Sequence, residues 1–262
     1  MNAGIGRERR IPMKKWLSIL ALLAATLAGT LGVARAQEED IVLDRAPDRT
    51  NNLASLQRGA QLFVNYCLNC HSASMLRYSK LQSIGIPQKE IEDNLLFSGG
   101  KVGDTMTVAM RPADAQEWFG VAPPDLSLEA RARGVDWLYT YLRTFYRDPT
   151  RPTGWNNLAF PNVGMPHVLW QLQGVRDAKF IEQKGEDGEV THQFDGFTQV
   201  SNGTLAPIDY DSSVADLVSY LAWMSEPARK TRERVGVWVL LFLGVLTLCA
   251  WRLNAAYWKD IK

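Results

Sequence analysis

Cysteine and histidine, the side chains that most often hold metals, are scarce in this chain, with three of each among 262 residues. Cys67 and Cys70 stand three positions apart with His71 beside the second, whereas His167 and His192 stand alone. With no second Cys pair and no closely spaced His pair, a four-ligand zinc site is excluded. Nothing beyond that one pair is available for a disulfide framework either. Positive charge is also short in the middle of the chain. Residues 37–228 carry sixteen basic and twenty-five acidic residues, a net of −9 that the overall +1 conceals. That deficit excludes a nucleic-acid binder and suits a basic protein partner. Internal repeats and low-complexity blocks are absent.

What the chain does have is apolar sequence at both ends. A basic segment through Lys15, an uncharged run from Trp16 to Val33 and then Ala34-Arg35-Ala36 follow the grammar of a secretory leader. Residues 1–36 are thus expected to be a signal peptide cleaved after Ala36, with translation starting at Met1 or Met13. Near the other end, Val235 to Trp251 is uncharged and lies between Arg229, Lys230, Arg232 and Arg234 on one side and Arg252 on the other. A helix apolar on every face needs lipid, and terminal Arg, Trp and Tyr residues can reach its interfaces. Residues 229–252 are therefore expected to be a transmembrane anchor, followed by a short cytoplasmic tail at 253–262. The exported domain, 37–228, sets the orientation, because basic residues flank both ends of the span and a large domain crosses largely regardless of charge.

In an oxidising compartment, Cys67-Leu68-Asn69-Cys70-His71 is open to several readings. A thioredoxin-like pair expects a strand before the motif and a βαβ surround, which are missing. A bare disulfide leaves His71 unexplained. Covalent haem accounts for all three residues: the thiols add to the two vinyl groups, and the adjacent imidazole reaches the iron. Upstream, Leu53, Leu56, Ala60, Phe63 and Val64 recur at helical intervals and deliver Cys67 at a helix end. Gly59 within that helix is unfavourable for helix formation and predicts close packing of another helix. Cys249 lies in the apolar run and reads as a small buried hydrophobe.

A second iron ligand is the next question, and Met is the usual choice for electron transfer at high potential. Met75 is too near His71 to reach the opposite face, and Met224 belongs to an apolar helical stripe with Leu217, Tyr220 and Leu221. Met106, Met110 and Met165 remain, with His167 as a further possible ligand. Met165 has the most suitable setting, since Pro161, Gly164 and Pro166 stiffen an irregular loop around it.

The domain reads as mainly α. Helices are expected near 52–66, 87–97, 112–119, 135–146 and 213–224, with one small β hairpin around Gly185 and Gly188.

Taken in order, the leader, "CLNCHS", "APPDLS" (Ala122 to Ser127), "GMP" at Met165 and "VADLVSYLAWMSEPARKTRERVG" leading into one anchor make the chain resemble, over nearly its whole length, the cytochrome c1 family. The resemblance implies a class I cytochrome c-like haem domain with inserted loops, plus one C-terminal transmembrane helix. It further implies one haem c attached through Cys67 and Cys70, with His71 and Met165 as axial ligands. In that family the domain faces the periplasm from the bacterial inner membrane. There it works beside cytochrome b and the Rieske iron-sulfur protein in a bc1 complex, passing electrons to a basic soluble or tethered cytochrome c. Such a subunit performs no catalysis alone; it is the redox subunit of a ubiquinol:cytochrome c oxidoreductase. One departure is visible. Where the family often has an arginine for a haem propionate before "PPDLS", this chain reads Ala115-Gln116-Glu117-Trp118, leaving Arg111 and Arg133 as substitutes. The rival readings are a free-standing tethered cytochrome shuttle or an oxidase haem subunit, and a haem-based gas sensor with an open sixth position.

Overall fold

In a computed structural model, residues 41–97, 100–184 and 190–259 are described. The expected leader lies outside them. The chain divides into two units, 1–42 and 43–262, and everything below concerns the second.

Helix α1 (Leu53–Leu62) begins where the Asn52 side chain accepts from the Ser55 amide, and it continues into a π-helical turn over Phe63–Cys67. Strand β1 (Ala73–Arg77), a 3₁₀ turn (Tyr78–Ile84), α2 (Gln88–Asn94) and the short β2 (Thr105–Met106) follow. Pro112 opens α3 (Pro112–Phe119), and Gly120 closes it in the left-handed conformation. Next come α4 (Glu129–Ala132), α5 (Val135–Arg143), β3 (Phe145–Arg147) and β4 (Trp155–Asn157). The chain finishes with α6 (Trp170–Gln173), the long hairpin β5 (Gly174–Lys184) and β6 (Val190–Asn202), α7 (Pro207–Ser225) and α8 (Arg229–Tyr257). All three sheets are two-stranded and antiparallel: β1 with β2, β3 with β4, and β5 with β6.

The mainly α reading holds, and so does the expected helix crossing at Gly59. A Cβ there would lie 2.3 Å from the Asp216 carbonyl oxygen and 2.6 Å from Tyr220 Cβ, so α1 and α7 touch backbone to backbone. Leu56, Ala60, Phe63 and Val64 pack with Leu217, Tyr220 and Leu221 in a core excluded from water, where a side chain like Phe63 contributes about 1.5–3 kcal/mol. Beside the crossing, the buried Asp216 carboxylate accepts from Arg49 (2.7 Å), Arg58 (2.6 Å) and the Ser55 hydroxyl, tying the approach segment and α1 to α7. Burial alone would push this carboxyl up, and the three donors more than offset it, holding it below the usual carboxylate range.

Several boundaries differ from expectation. Helix α5 stops at Arg143 because Thr144 turns out of the helix and Phe145 begins a strand paired to Asn157. Helix α7 starts six residues early, since Pro207 fits a first turn and Ser213 returns its hydroxyl to the Asp209 carbonyl. The two short sheets were not expected: their strands have two to five residues, too few to show alternation. Among the described residues, α8 is the one helix long and apolar enough to cross a membrane, and none of its residues is buried by the rest of the chain. Cys249 on it is exposed within the isolated chain, so the lone-chain structure does not bury it.

Candidate functional site

The site is built around the turn that ends the π-helical segment. The Leu68 amide donates to the Phe63 carbonyl at 2.9 Å, and the Cys70 and His71 amides both reach the Cys67 carbonyl (3.1 and 2.9 Å). This tight turn carries Cys67, Cys70 and His71 out of one helix end within a single wrap of chain. Departures from regular α geometry of this kind concentrate at functional sites. All three side chains are buried or half-buried, and the two thiols are free. Burial, and to a lesser degree the neighbouring Cys70, pushes the Cys67 thiol up to about 12. Burial also raises Cys70. Neither is therefore a reactive thiolate in the folded chain.

His71 is fixed by a single contact. Its Nδ1 lies 2.7 Å from the Pro124 carbonyl oxygen, and because a carbonyl only accepts, Nδ1 carries the proton. The Nε2 lone pair is then free to bind a metal, an orientation typical of ligating imidazoles held by an outer partner. Burial lowers the proton affinity of the ring, partly countered by the Pro124 contact, and the neutral form is kept. Pro124 is itself held in place: the Leu126 amide donates to the Ser72 carbonyl (2.8 Å), and Asp125 accepts from the Ser74 and Ser127 amides (2.8 Å each). The "APPDLS" segment therefore runs alongside residues 72–75 and supports the histidine from behind.

Met165 lies in an irregular loop, half-buried, between the buried Val163 and His167. The loop is anchored through its backbone. Asn157 Oδ1 accepts from the Ala159 and Phe160 amides (2.8 and 3.1 Å), and Asn156 Oδ1 accepts from the Asn162 amide (2.8 Å). Arg151 holds Asn162 through its side chain and carbonyl (3.1 and 2.9 Å), at a residue with φ of 62°. On its other flank Gly164 approaches the strand of chain after α3 so closely that a Cβ would sit 2.8 Å from Val121 Cγ1 and 3.2 Å from the Phe119 carbonyl oxygen. The sulfur accepts from the Tyr141 hydroxyl at 3.3 Å, and burial raises that phenol's pKa, so it stays protonated.

The other sequence candidates fall away from this arrangement. Met75 is exposed, Met224 is buried on α7, and Met106 is fully buried in β2 with the Tyr220 hydroxyl 3.9 Å from its sulfur. Met110 is half-buried with no polar partner described. His167 is packed between Phe145 (stacked, 4.9 Å) and Trp155 (edge-on, 5.1 Å), and burial lowers its pKa to about 3. Its ring is neutral, with Nε2 buried and without a hydrogen-bond partner among the described residues. Arg111 is exposed and paired to Asp114 on its own helix. Arg133 instead lies over the rings of Trp137 (4.7 Å) and Phe160 (5.6 Å), on the same aromatic cluster as Tyr141. Asn156, Asn157 and Tyr141 escaped the sequence reading because asparagines in a three-residue strand and a tyrosine on an amphipathic helix carry no spacing signal.

The donor set fits a covalently held haem. Two thiols one turn apart lead directly into an imidazole whose proton position leaves one nitrogen free, and a thioether is presented by a backbone-anchored loop. Among the described residues no group of three or more His, Cys, Asp or Glu is placed to hold a metal ion directly.

Comparison with known proteins agrees. The family model described as the Cytochrome C1 family matches residues 47–261. A cytochrome c1 from Allochromatium vinosum is 49% identical over 209 residues, covering 79% of this chain and 85% of that protein. A protein named ammonia monooxygenase gamma subunit, from Nitrosomonas europaea, is 43% identical over 249 residues, covering 95% of this chain and 99% of its own. A cytochrome c1 from Rhodospirillum rubrum is 30% identical over 272 residues, covering 92% and 97%.

Proposed function

Since the chain belongs to the cytochrome c1 family and so is a membrane-anchored haem c electron-transfer protein, we propose that it is the electron-exporting subunit of a cytochrome bc1 complex. It works there beside cytochrome b, receives electrons from a Rieske iron-sulfur protein and delivers them to a basic cytochrome c. The single observation that carries the reading is His71, whose ring is locked by the Pro124 carbonyl with Nε2 left free, immediately after the two thiols.

The haem supplies a one-electron iron couple. Everything else falls to the chain. Cys67 and Cys70 would hold the group covalently, His71 and Met165 would supply the iron's ligands, and the aromatic rings of Trp137 and Phe145 pack around Tyr141, whose hydroxyl meets the sulfur. An iron held by an imidazole and a thioether would favour electron transfer over gas binding. The −9 of residues 37–228 draws a basic acceptor and raises its encounter rate. Residues 1–36 act as a removable leader, the domain lies in the periplasm, and α8 spans the inner membrane with its start outside.

A second reading has one observation in its favour. The 43% relative that spans nearly the whole of both chains carries a monooxygenase subunit name, which favours reading the same domain as the haem subunit of an oxygenase complex. Mild detergent extraction and affinity capture of the full chain separates the two. Co-purification with a haem b protein and a Rieske protein supports the bc1 reading. Co-purification with oxygenase subunits alone overturns it.

A further inference from the structure

We propose that Arg176 helps to set the potential of the iron: its guanidinium, joined to the Met165 loop through Phe145 and without a carboxylate partner among the described residues, is a fixed positive charge that favours the reduced state. This rests on the reading of a haem held by His71 and Met165.

Arg176 lies at the base of the long hairpin, where β5 pairs with Gln199 of β6. Its Nε donates to the Phe145 carbonyl at 3.0 Å, and its guanidinium carbon stands 3.7 Å from the centre of the Phe197 ring. Nη2 is closed off from water and has no hydrogen-bond partner. The nearest acids are already taken. Asp177, next along β5, is held by both arms of Arg147 (2.9 and 2.8 Å), and Asp211 in the first turns of α7 by Arg143 (2.6 and 2.7 Å). Burial pushes the guanidinium down to about 10, which still leaves it protonated at neutral pH. A cation held by a carbonyl and an aromatic face keeps its net charge, so its field is not cancelled locally.

Phe145 links that charge to the sulfur. Its ring stacks on His167 (4.9 Å), two residues beyond Met165, and meets Tyr141 edge-on (5.0 Å), whose hydroxyl lies 3.3 Å from the Met165 sulfur. Phe145, Tyr141 and His167 are all buried, so a charge acting through them is screened less than one acting through water. Ferric iron carries one more positive charge than ferrous. A nearby cation therefore disfavours oxidation and raises the midpoint potential. An arginine that only pinned the hairpin to β3 would alter stability and leave the potential where it was.

The test is a potentiometric titration of the full-length, membrane-extracted protein in four forms: unaltered, Arg176→Lys, Arg176→Gln and Arg176→Met. The Lys variant keeps the charge, the Gln variant keeps a donor for the Phe145 carbonyl without charge, and the Met variant keeps only an apolar stem. The near-infrared absorption of sulfur on ferric iron is recorded alongside, which separates a lost charge from a lost ligand. The expected result is a lower midpoint potential for Arg176→Gln and Arg176→Met and little change for Arg176→Lys, with the absorption retained throughout. The Lys and Gln variants decide the question by themselves if the Met variant does not fold. Potentials that move equally in all variants, or in none, overturn the role of the charge and leave the haem reading standing. A lower potential accompanied by loss of the absorption overturns it too, because the ligand and not the field has then changed. A c-type spectrum or a sulfur absorption missing from the unaltered protein overturns the haem reading and this proposal together.

Discussion

At the scale of single residues, the site depends on contacts that fix where side chains begin and end. His71 has Nε2 left over because Pro124 occupies Nδ1, and Gly164 lets the Met165 loop lie against Phe119 and Val121. Gly164→Ala forces a Cβ to within 2.8 Å of Val121 Cγ1. The loop must then lift, so the reduced variant should bind carbon monoxide where the unaltered protein does not, as a visible spectrum would register. Asn157→Ala should leave the Ala159 and Phe160 amides and the Tyr141 carbonyl short of partners, destabilising the fold by about 1–3 kcal/mol in chemical denaturation. That Cys67, Cys70 and His71 share one tight turn was legible in the sequence because the three are nearly contiguous. Met165 was half legible, since proline and glycine mark a stiff loop but cannot say what it faces. Tyr141 and Asn157 were not legible, as they lie 16 residues apart and Tyr141 meets Met165 24 residues along the chain, separations that no local spacing reveals.

At the scale of elements, the crossing of α1 and α7 positions the haem-binding turn, because the π-helical segment ending in Cys67 continues directly from α1. Asp216 clamps that crossing. Asp216→Asn leaves Arg49 and Arg58, both partly exposed, without their shared charge and should cost about 1–3 kcal/mol at neutral pH. The pH dependence has a fixed sign. A carboxyl held below its usual value contributes its full stabilisation above the unfolded value of about 3.9 and loses it as pH falls through the folded value. Denaturant melts of the unaltered protein should weaken below about pH 4, and the Asn variant should show a flatter profile there. Gly59 announced this crossing in the sequence, since a glycine in an amphipathic helix has few other uses. The strands β1 to β4 gave no such signal: β1 and β2 join segments about thirty residues apart, and all four are too short to show a clear alternation.

For the whole molecule, charge and apolarity divide the labour. Residues 37–228 carry the negative charge, and the 29 residues of α8, none of them buried by the chain itself, are long and apolar enough to cross a membrane. The last turns join the two firmly: Glu226 bridges Arg131 of α4 (3.8 Å) and Arg232 of α8 (2.7 Å). Electron transfer to a basic cytochrome c should slow steeply as ionic strength rises, in stopped-flow experiments, because exposed charges are screened beyond about 10 Å at 0.1 M salt. A neutral or acidic acceptor should show no such slowing. This division was plain in the sequence once it was split into regions, because counting charges requires no knowledge of the fold.

The most direct measurement is a reduced-minus-oxidised visible spectrum of the membrane-extracted protein under denaturing and native conditions, followed by carbon monoxide on the same reduced sample. A c-type band that survives denaturation and extraction, and that carbon monoxide leaves unmoved in the native protein, is the predicted result. It would mean covalent haem with both axial positions filled by the chain. A haem lost on denaturation, or a band that shifts under carbon monoxide, would contradict the account of Cys67, Cys70, His71 and Met165 as its holders.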